Sequence, residues 1–313
     1  MRPTRLLPRS GLAGLLLALA VPAAAQVRPA TRAPLFGAGA AVPVTALAPQ
    51  PIPLDSLQRE RVAKNCPAGA PRLDSAAGFG FTRVVARQGY ALEHSSQDKI
   101  ALWVCEGIAS EQLVGEVTRD EGSANFPPDT ALPPGLRAER ADYEKTGFDR
   151  GHMAPAGDQN SDPRLKAETF FLSNMAPQAP DLNRKVWRVL EDTVRQWLVR
   201  RGSGFVVTGG FFYDPLEDDP ATADGVVDYQ VIGRRRVAVP THFYKIVAAP
   251  DGRGGWDVIA FVLANRGYPK PWLFQDFVVP VDWIEARTGI DFFPELEAEL
   301  QARLEAALPA VWR

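Results

Sequence analysis

Residues 147 to 191 carry the side chains that could do chemistry. They read Gly147-Phe148-Asp149-Arg150-Gly151-His152-Met153-Ala154-Pro155, then Phe171-Leu172-Ser173-Asn174-Met175-Ala176-Pro177-Gln178, then Asp181-Leu182-Asn183 running on to Trp187 and Glu191. A histidine closing a short strand, an asparagine opening a helix and a glutamate two turns further on are the parts needed to cut a phosphodiester with one hydrated cation. An imidazole of ordinary pKa, about 6.5, makes a general base near neutral pH. The chain has three histidines. His94 falls at a strand end beside a turn and His242 inside a strand, so both read as surface or core residues. His152 follows Asp149-Arg150-Gly151, where Gly151 lets the backbone turn tightly and Arg150 can meet a phosphate in a fork of hydrogen bonds.

These side chains need a scaffold, and the apolar pattern predicts one. Phe81 to Arg87, Tyr90 to His94 and Ile100 to Cys105 read as an antiparallel meander turning at Ser95-Ser96-Gln97-Asp98. Pro163 to Phe170 reads as a short helix. Asp181 is expected to cap a long helix in which Leu182, Val186, Leu190, Val194 and Trp197-Leu198 recur at helical spacing until Gly202. Asn183 and Glu191, about 80° apart on an ideal helix, then share one broad face. Gly204 to Thr208, Val226 to Ile232, Arg236 to Val239, His242 to Val247 and Trp256 to Leu263 read as strands, and Val281 to Thr288 and Pro294 to Leu308 as helices. The class is α+β, without a βαβ rhythm or an internal repeat.

At 313 residues, 46% of them apolar, the chain can fill a sizeable core. Arg2, Arg5 and Arg9, the apolar run Gly11 to Val21 and Pro22-Ala23-Ala24-Ala25 have the layout of a secretory signal peptide cleaved near Ala25. Residues 1–25 are therefore expected to be a signal, 26–60 a Pro/Ala-rich linker and 61–313 the functional domain, with a short helix from Leu57 to Lys64, capped by Asp55, where the ordered domain begins. The mature protein would be exported, periplasmic or secreted, with no membrane contact. Taking three arginines from 35 basic residues against 37 acidic leaves a net charge of about −5. That balance weakens a module that coats nucleic acid more than it weakens an enzyme that must release its product. Cys66 and Cys105 are the only cysteines. An even pair in an exported chain predicts a disulfide.

The sequence resembles the DNA/RNA non-specific endonuclease family, a branch of the ββα-metal or His-Me finger nucleases. The likeness rests on Asp149-Arg150-Gly151-His152, on Phe171 to Gln178, and on Leu182-Asn183 with Trp187 and Leu190-Glu191. It extends in order through Leu102-Trp103-Val104, Pro240 to Lys245 and Thr288 to Phe293, so it covers roughly residues 75 to 300. It implies a central, mainly antiparallel sheet flanked by helices, with a ββα-metal finger. It also implies that His152 activates water, that Asn183 is the one direct protein ligand of a Mg²⁺, which Mn²⁺ or another divalent ion could replace, and that Glu191 holds metal-bound water. By the same likeness Asn174 would orient the histidine or the metal shell, Arg150 would stabilise transition-state charge, and Arg119 would match an upstream family arginine. A homodimer is compatible with it.

Arg184, Lys185 and Arg188, beside the implied metal ligand, could follow a phosphate backbone. Arg195, Arg200, Arg201 and Arg234-Arg235-Arg236 read as solvated surface. No recognition helix or zinc finger appears, so sequence-specific readout is not indicated. The family resemblance implies cutting of both DNA and RNA to leave 5′-phosphate ends. Two rivals fit the same residue types: a catalytically silent module that binds a protein or polyanion, and an enzyme for small phosphodiesters.

Overall fold

Alternation of apolar residues between two faces of one sheet builds the framework. The computed structural model describes residues 31–34, 53–75, 78–118 and 125–312. The expected signal at 1–25 and Arg119 lie outside the described residues. The strands are β1 (Thr31–Pro34), β2 (Arg72–Leu73), β3 (Thr82–Ala86), β4 (Ala91–Ser95), β5 (Ile100–Ala109), β6 (Asp149–His152), β7 (Met175–Gln178) and β8 (Ser203–Phe211). They continue with β9 (Val226–Tyr229), β10 (Val231–Ile232), β11 (Val237–Ala238), β12 (His242–Pro250), β13 (Trp256–Ala264), β14 (Val278–Val279) and β15 (Ile290–Asp291). The α-helices are α1 (Ser56–Asn65), α2 (Ser110–Leu113), α3 (Pro163–Glu168), α4 (Arg188–Arg201), α5 (Val281–Thr288) and α6 (Ala298–Glu305).

Seven strands form one sheet in the order β14-β13-β12-β8-β5-β4-β3, and every neighbouring pair is antiparallel. Successive side chains in a strand point to opposite faces. Val206 of β8, Phe243 and Val247 of β12, and Ile259 and Phe261 of β13 therefore join a core with Trp187, Leu190, Val194 and Leu198 of the long helical segment. Phe205 and Val207, Tyr244 and Ile246, and Val258 and Ala260 enter a second core with Val281 and Ile284 of α5 and Leu304 of α6. The result is the α+β fold expected, a helix-flanked antiparallel sheet. Among the described residues no helix is long and apolar enough to cross a membrane.

Two expectations are corrected. The 26–60 stretch is not only linker: Thr31–Pro34 forms β1 and pairs in parallel with β9, while the helix expected after Asp55 is present as α1 (Ser56–Asn65) under an Asp55 capping box. Backbone pairing needs no apolar period, so composition did not signal β1. The expected disulfide is not formed either. Cys66 and Cys105 are free thiols buried in the second core, with a hydrogen bond between them. Burial lifts the Cys105 thiol well above its ordinary range, with the Cys66 hydrogen bond acting in the same sense, and this disfavours the thiolate through which disulfides form.

Candidate active site

The finger that carries the chemistry stands outside the seven-stranded sheet. Strands β6 and β7 pair antiparallel, with Asp149 opposite Gln178 and His152 opposite Met175, and the chain then enters the helical segment from residue 182. Gly151 does not make the tight turn expected of it. It lies within β6 opposite Ala176, and a Cβ there would stand 2.2 Å from Gln178 Oε1, so its use is to let that side chain approach. Asn174, fully buried, spends its whole amide on the loop after the histidine. Nδ2 donates to the carbonyls of Ala154 (2.9 Å) and Thr169 (2.8 Å), and Oδ1 accepts from Ala154 N–H (2.9 Å). These bonds make it a positioning residue for the histidine segment.

Asp181 does not cap the long helix. Its backbone is already helical and its carboxylate pairs with Lys185 at 2.7 Å. The helix begins instead with a π-helical stretch, Leu182–Trp187, before α4, and Gly202, at φ +81°, ends it. The wider i→i+5 ladder replaces the ideal spacing assumed between Asn183 and Glu191, and such stretches recur at functional sites.

Arg150, His152, Asn183, Arg184, Arg188 and Glu191 line a single cleft of about 530 Å³. The His152 ring lies edge-on to Phe170, with centroids 5.0 Å apart, and 6.0 Å from Phe126. The Arg150 guanidinium sits over Phe126 (5.0 Å) and Tyr143 (5.6 Å) and pairs with no carboxylate among the described residues, which leaves its charge available to an anion. Asn183 donates through Nδ2 to Asp149 Oδ2 at 2.9 Å. Its carbonyl oxygen is the end of the amide that remains for a cation. Arg184 forks onto the same carboxylate, Nε to Oδ2 at 2.7 Å and Nη2 to Oδ1. Burial tends to raise the Asp149 pKa, but the hydrogen bonds from Arg184 and Asn183 hold it below its ordinary value.

This donor set fits a hard cation that keeps most of its water. The cleft offers an amide oxygen and a carboxylate. The one cluster of three close carboxylates among the described residues is Asp282, Glu285 and Glu305, on the opposite side of the sheet. A hard divalent cation that keeps part of its water shell suits such an open, oxygen-bearing site.

The profile of the DNA/RNA non-specific endonuclease family matches residues 74–299, most of the chain. The chain belongs to that family. It is 35% identical to human mitochondrial endonuclease G over 219 residues, which are 70% of this chain and 72% of the relative. It is 33% identical to nuclease C1 of Cunninghamella echinulata over 222 residues, 71% of this chain and 86% of that one. In three dimensions it matches a crystal structure of the EndoG/EndoGI complex with a TM-score of 0.68 at 31% identity, covering 77% of this chain and 94% of that chain.

Beneath the cleft this endonuclease carries a set of charges that sequence reasoning missed. Lys245 of β12, 1% exposed, donates to Thr208 Oγ1 of β8 at 2.7 Å and stands 5.2 Å over the Trp187 ring. Glu106 of β5, fully buried, points to the same face, and neither of its oxygens has a hydrogen-bond partner among the described residues. Arg195 of α4 pairs with Asp158 at 2.6 Å and with Asp192. Burial drives the Glu191 carboxyl up to about 7, Lys245 and Arg195 pull it down, and Asp158 and Asp192 push it up. A lysine inside the apolar run Phe243 to Val247 was the available signal, since an unpaired buried charge is costly. Asn265, at the end of β13, was also missed. Its Oδ1 accepts from Ala179 N–H (2.7 Å), and its Nδ2 donates to the carbonyls of Pro177 (3.0 Å) and Pro240 (2.9 Å), fixing the end of β7 to the sheet.

The predicted substrate residues Arg184, Lys185 and Arg188 are all exposed, Arg184 and Arg188 lining the cleft and Lys185 lying outside it, and each holds an acidic neighbour: Asp149, Asp181 and Asp192. His94 and His242 stay outside the site. Burial lowers each to about 4, so both are neutral imidazoles near pH 7.

Proposed function

We propose that this endonuclease is exported and cuts DNA and RNA by hydrolysis, using one hydrated Mg²⁺, to leave 5′-phosphate ends. The observation that carries this reading is the convergence of His152, Arg150, Asn183 and Glu191 on one cleft. The imidazole of His152 takes the proton of the attacking water. Arg150, whose charge no described carboxylate holds, meets the phosphate oxygens as negative charge builds on them. Asn183 would hold the cation through its amide oxygen, and Glu191 would accept hydrogen bonds from its water. When bound, the ion polarises the phosphoryl group and stabilises the departing alkoxide. A silent binding module would have no need of these four groups together.

Export rests on the basic residues, apolar run and small-residue site in residues 1–25. The endonuclease G relative carries the word mitochondrial in its name. An unbroken apolar run such as Gly11 to Val21 differs from the amphipathic pattern of organelle transit peptides.

The test is digestion of supercoiled plasmid and structured RNA by the chain from Gln26, with Mg²⁺ and with EDTA, beside His152→Ala. Cutting of both polymers that needs the metal and is lost in a variant with an unchanged thermal melt is the expected result. A well-folded wild type that cuts neither polymer with any divalent metal overturns the reading.

A further inference from the structure

A second cleft adjoins the first across the head of the long helix. It measures about 490 Å³ and is lined by Arg184, Lys185, Arg188 and Val189 on one side and by Tyr268, Pro269, Lys270 and Trp272 on the other. Arg184 and Arg188 also line the catalytic cleft, so these two arginines form a ridge between the two spaces. Among the described residues no carboxylate lines the second cleft. Its far wall is a built structure. Asn265 anchors the loop at one end, Tyr268 Oη accepts from Ala264 N–H at 2.7 Å, and Trp272 Nε1 donates to the Tyr268 carbonyl at 3.0 Å. A Cβ on Gly267 would come within 2.9 Å of Asp181 Cβ, so the loop abuts the start of the helical segment.

Lys270 distinguishes this wall. Its ammonium lies 4.9 Å from the Trp272 ring centre and pairs with no carboxylate among the described residues, whereas the three helix cations across the cleft each hold one. Cations cover both rings of the wall, Lys270 over Trp272 and Arg266 over Tyr268 (5.2 Å). The rings therefore present charge to a ligand rather than a bare stacking surface.

Resting on the nuclease reading above, we infer that this cleft is a subsite for a backbone phosphate flanking the scissile one, with Lys270 and Arg188 as its cations. A strand crossing the Arg184–Arg188 ridge places one phosphate beside His152 and a neighbour beside Lys270. Recognition is of phosphate, so it serves DNA and RNA alike and reads no base.

The test measures binding of a long fluorescent oligothymidylate to His152→Ala protein by anisotropy over a range of salt concentrations, beside Lys270→Glu and Lys270→Arg made in the same background. For a single strand, each phosphate that the protein ceases to neutralise takes about 0.7 from the slope of log K against log salt. The expected result is that Lys270→Glu lowers affinity about tenfold or more and flattens the slope by about that amount, while Lys270→Arg keeps both. A merely structural role for Lys270 would not move the salt slope. Affinity and slope unchanged in Lys270→Glu overturn the subsite. Absence of oligonucleotide binding altogether overturns it as well. Cleavage of the same oligonucleotide by wild type is scored separately, so a failed subsite with cleavage intact leaves the nuclease reading standing. Lys270-dependent binding without cleavage by wild type does the reverse.

Discussion

Asn183 gives its amide N–H to Asp149 at 2.9 Å, and that bond decides which end of the side chain a metal can use. Asp149 in turn is clamped by Arg184. Groups that orient a ligand are worth about 10- to 100-fold in metal affinity or activity. Asp149→Ala is therefore expected to raise the Mg²⁺ concentration for half-maximal cleavage by about tenfold or more. A titration of initial rate against Mg²⁺ checks it, and an unshifted curve would show that Asn183 needs no such support.

Asn174 and Asn265 each use both ends of the amide, the first on the loop after His152 and the second between β7 and the sheet. Removing either leaves several backbone groups without partners, at about 1–3 kcal/mol per buried group. Asn174→Ala and Asn265→Ala should each lose about 2–4 kcal/mol in urea unfolding and also lose turnover. Turnover that survives in the folded fraction would separate the finger's geometry from these bonds.

Lys245 lies in the sheet face beneath α4 with Glu106, Asp158 and Glu191 as its electrostatic partners. Deleting one member of a buried charge set costs about 3–5 kcal/mol because the others lose their compensation. Lys245→Met should destabilise by about that much, and adding Glu106→Gln should restore part of it. Additive losses in the double variant would mean that Lys245 and Glu106 act independently.

Stability should also fall with rising pH through a pair of shared carboxyls. Burial lifts Glu285 of α5 to about 8 and Glu305 of α6 to about 7, from an ordinary 4.5. The folded chain thus holds protons there that the unfolded chain has released, so this contribution is full below pH 4.5 and is lost as pH rises to about 8. Glu191, at about 7, acts in the same sense. The buried neutral His94 and His242 act oppositely, but only below their ordinary 6.5. Between pH 6.5 and 8 the urea midpoint should therefore decline, and Glu305→Gln should flatten the decline. An unchanged slope in the variant would exclude the pair as its source.

Much of this was legible in the sequence, for identifiable reasons. Strands β8, β12 and β13 could be read because they are near-continuous apolar, β-branched and aromatic runs of strand length, and the motif around His152 gathers the cleft in one segment. The π-helical start at Leu182 was not legible, because an extra residue in a turn leaves no mark on an apolar pattern with helical spacing. Lys245, Glu106 and Asn265 escaped because their importance lies in cross-sheet neighbours far away in sequence, which periodicity does not report. Asp149 was read as part of a motif, and its hold on Asn183 is visible only when β6 and the helix meet.

The two cores divide the protein's tolerance to change. Val206 and Val247 press on the helix that bears Asn183 and Glu191, while Phe205 and Ile246, one residue away on the same strands, press on α5 and α6 instead. The sheet is thus a partition wall. A repacked residue on either side costs stability, but one in front also bears on the helix that carries Asn183 and Glu191, so odd and even positions along a single strand differ in whether a change of packing reaches the cleft.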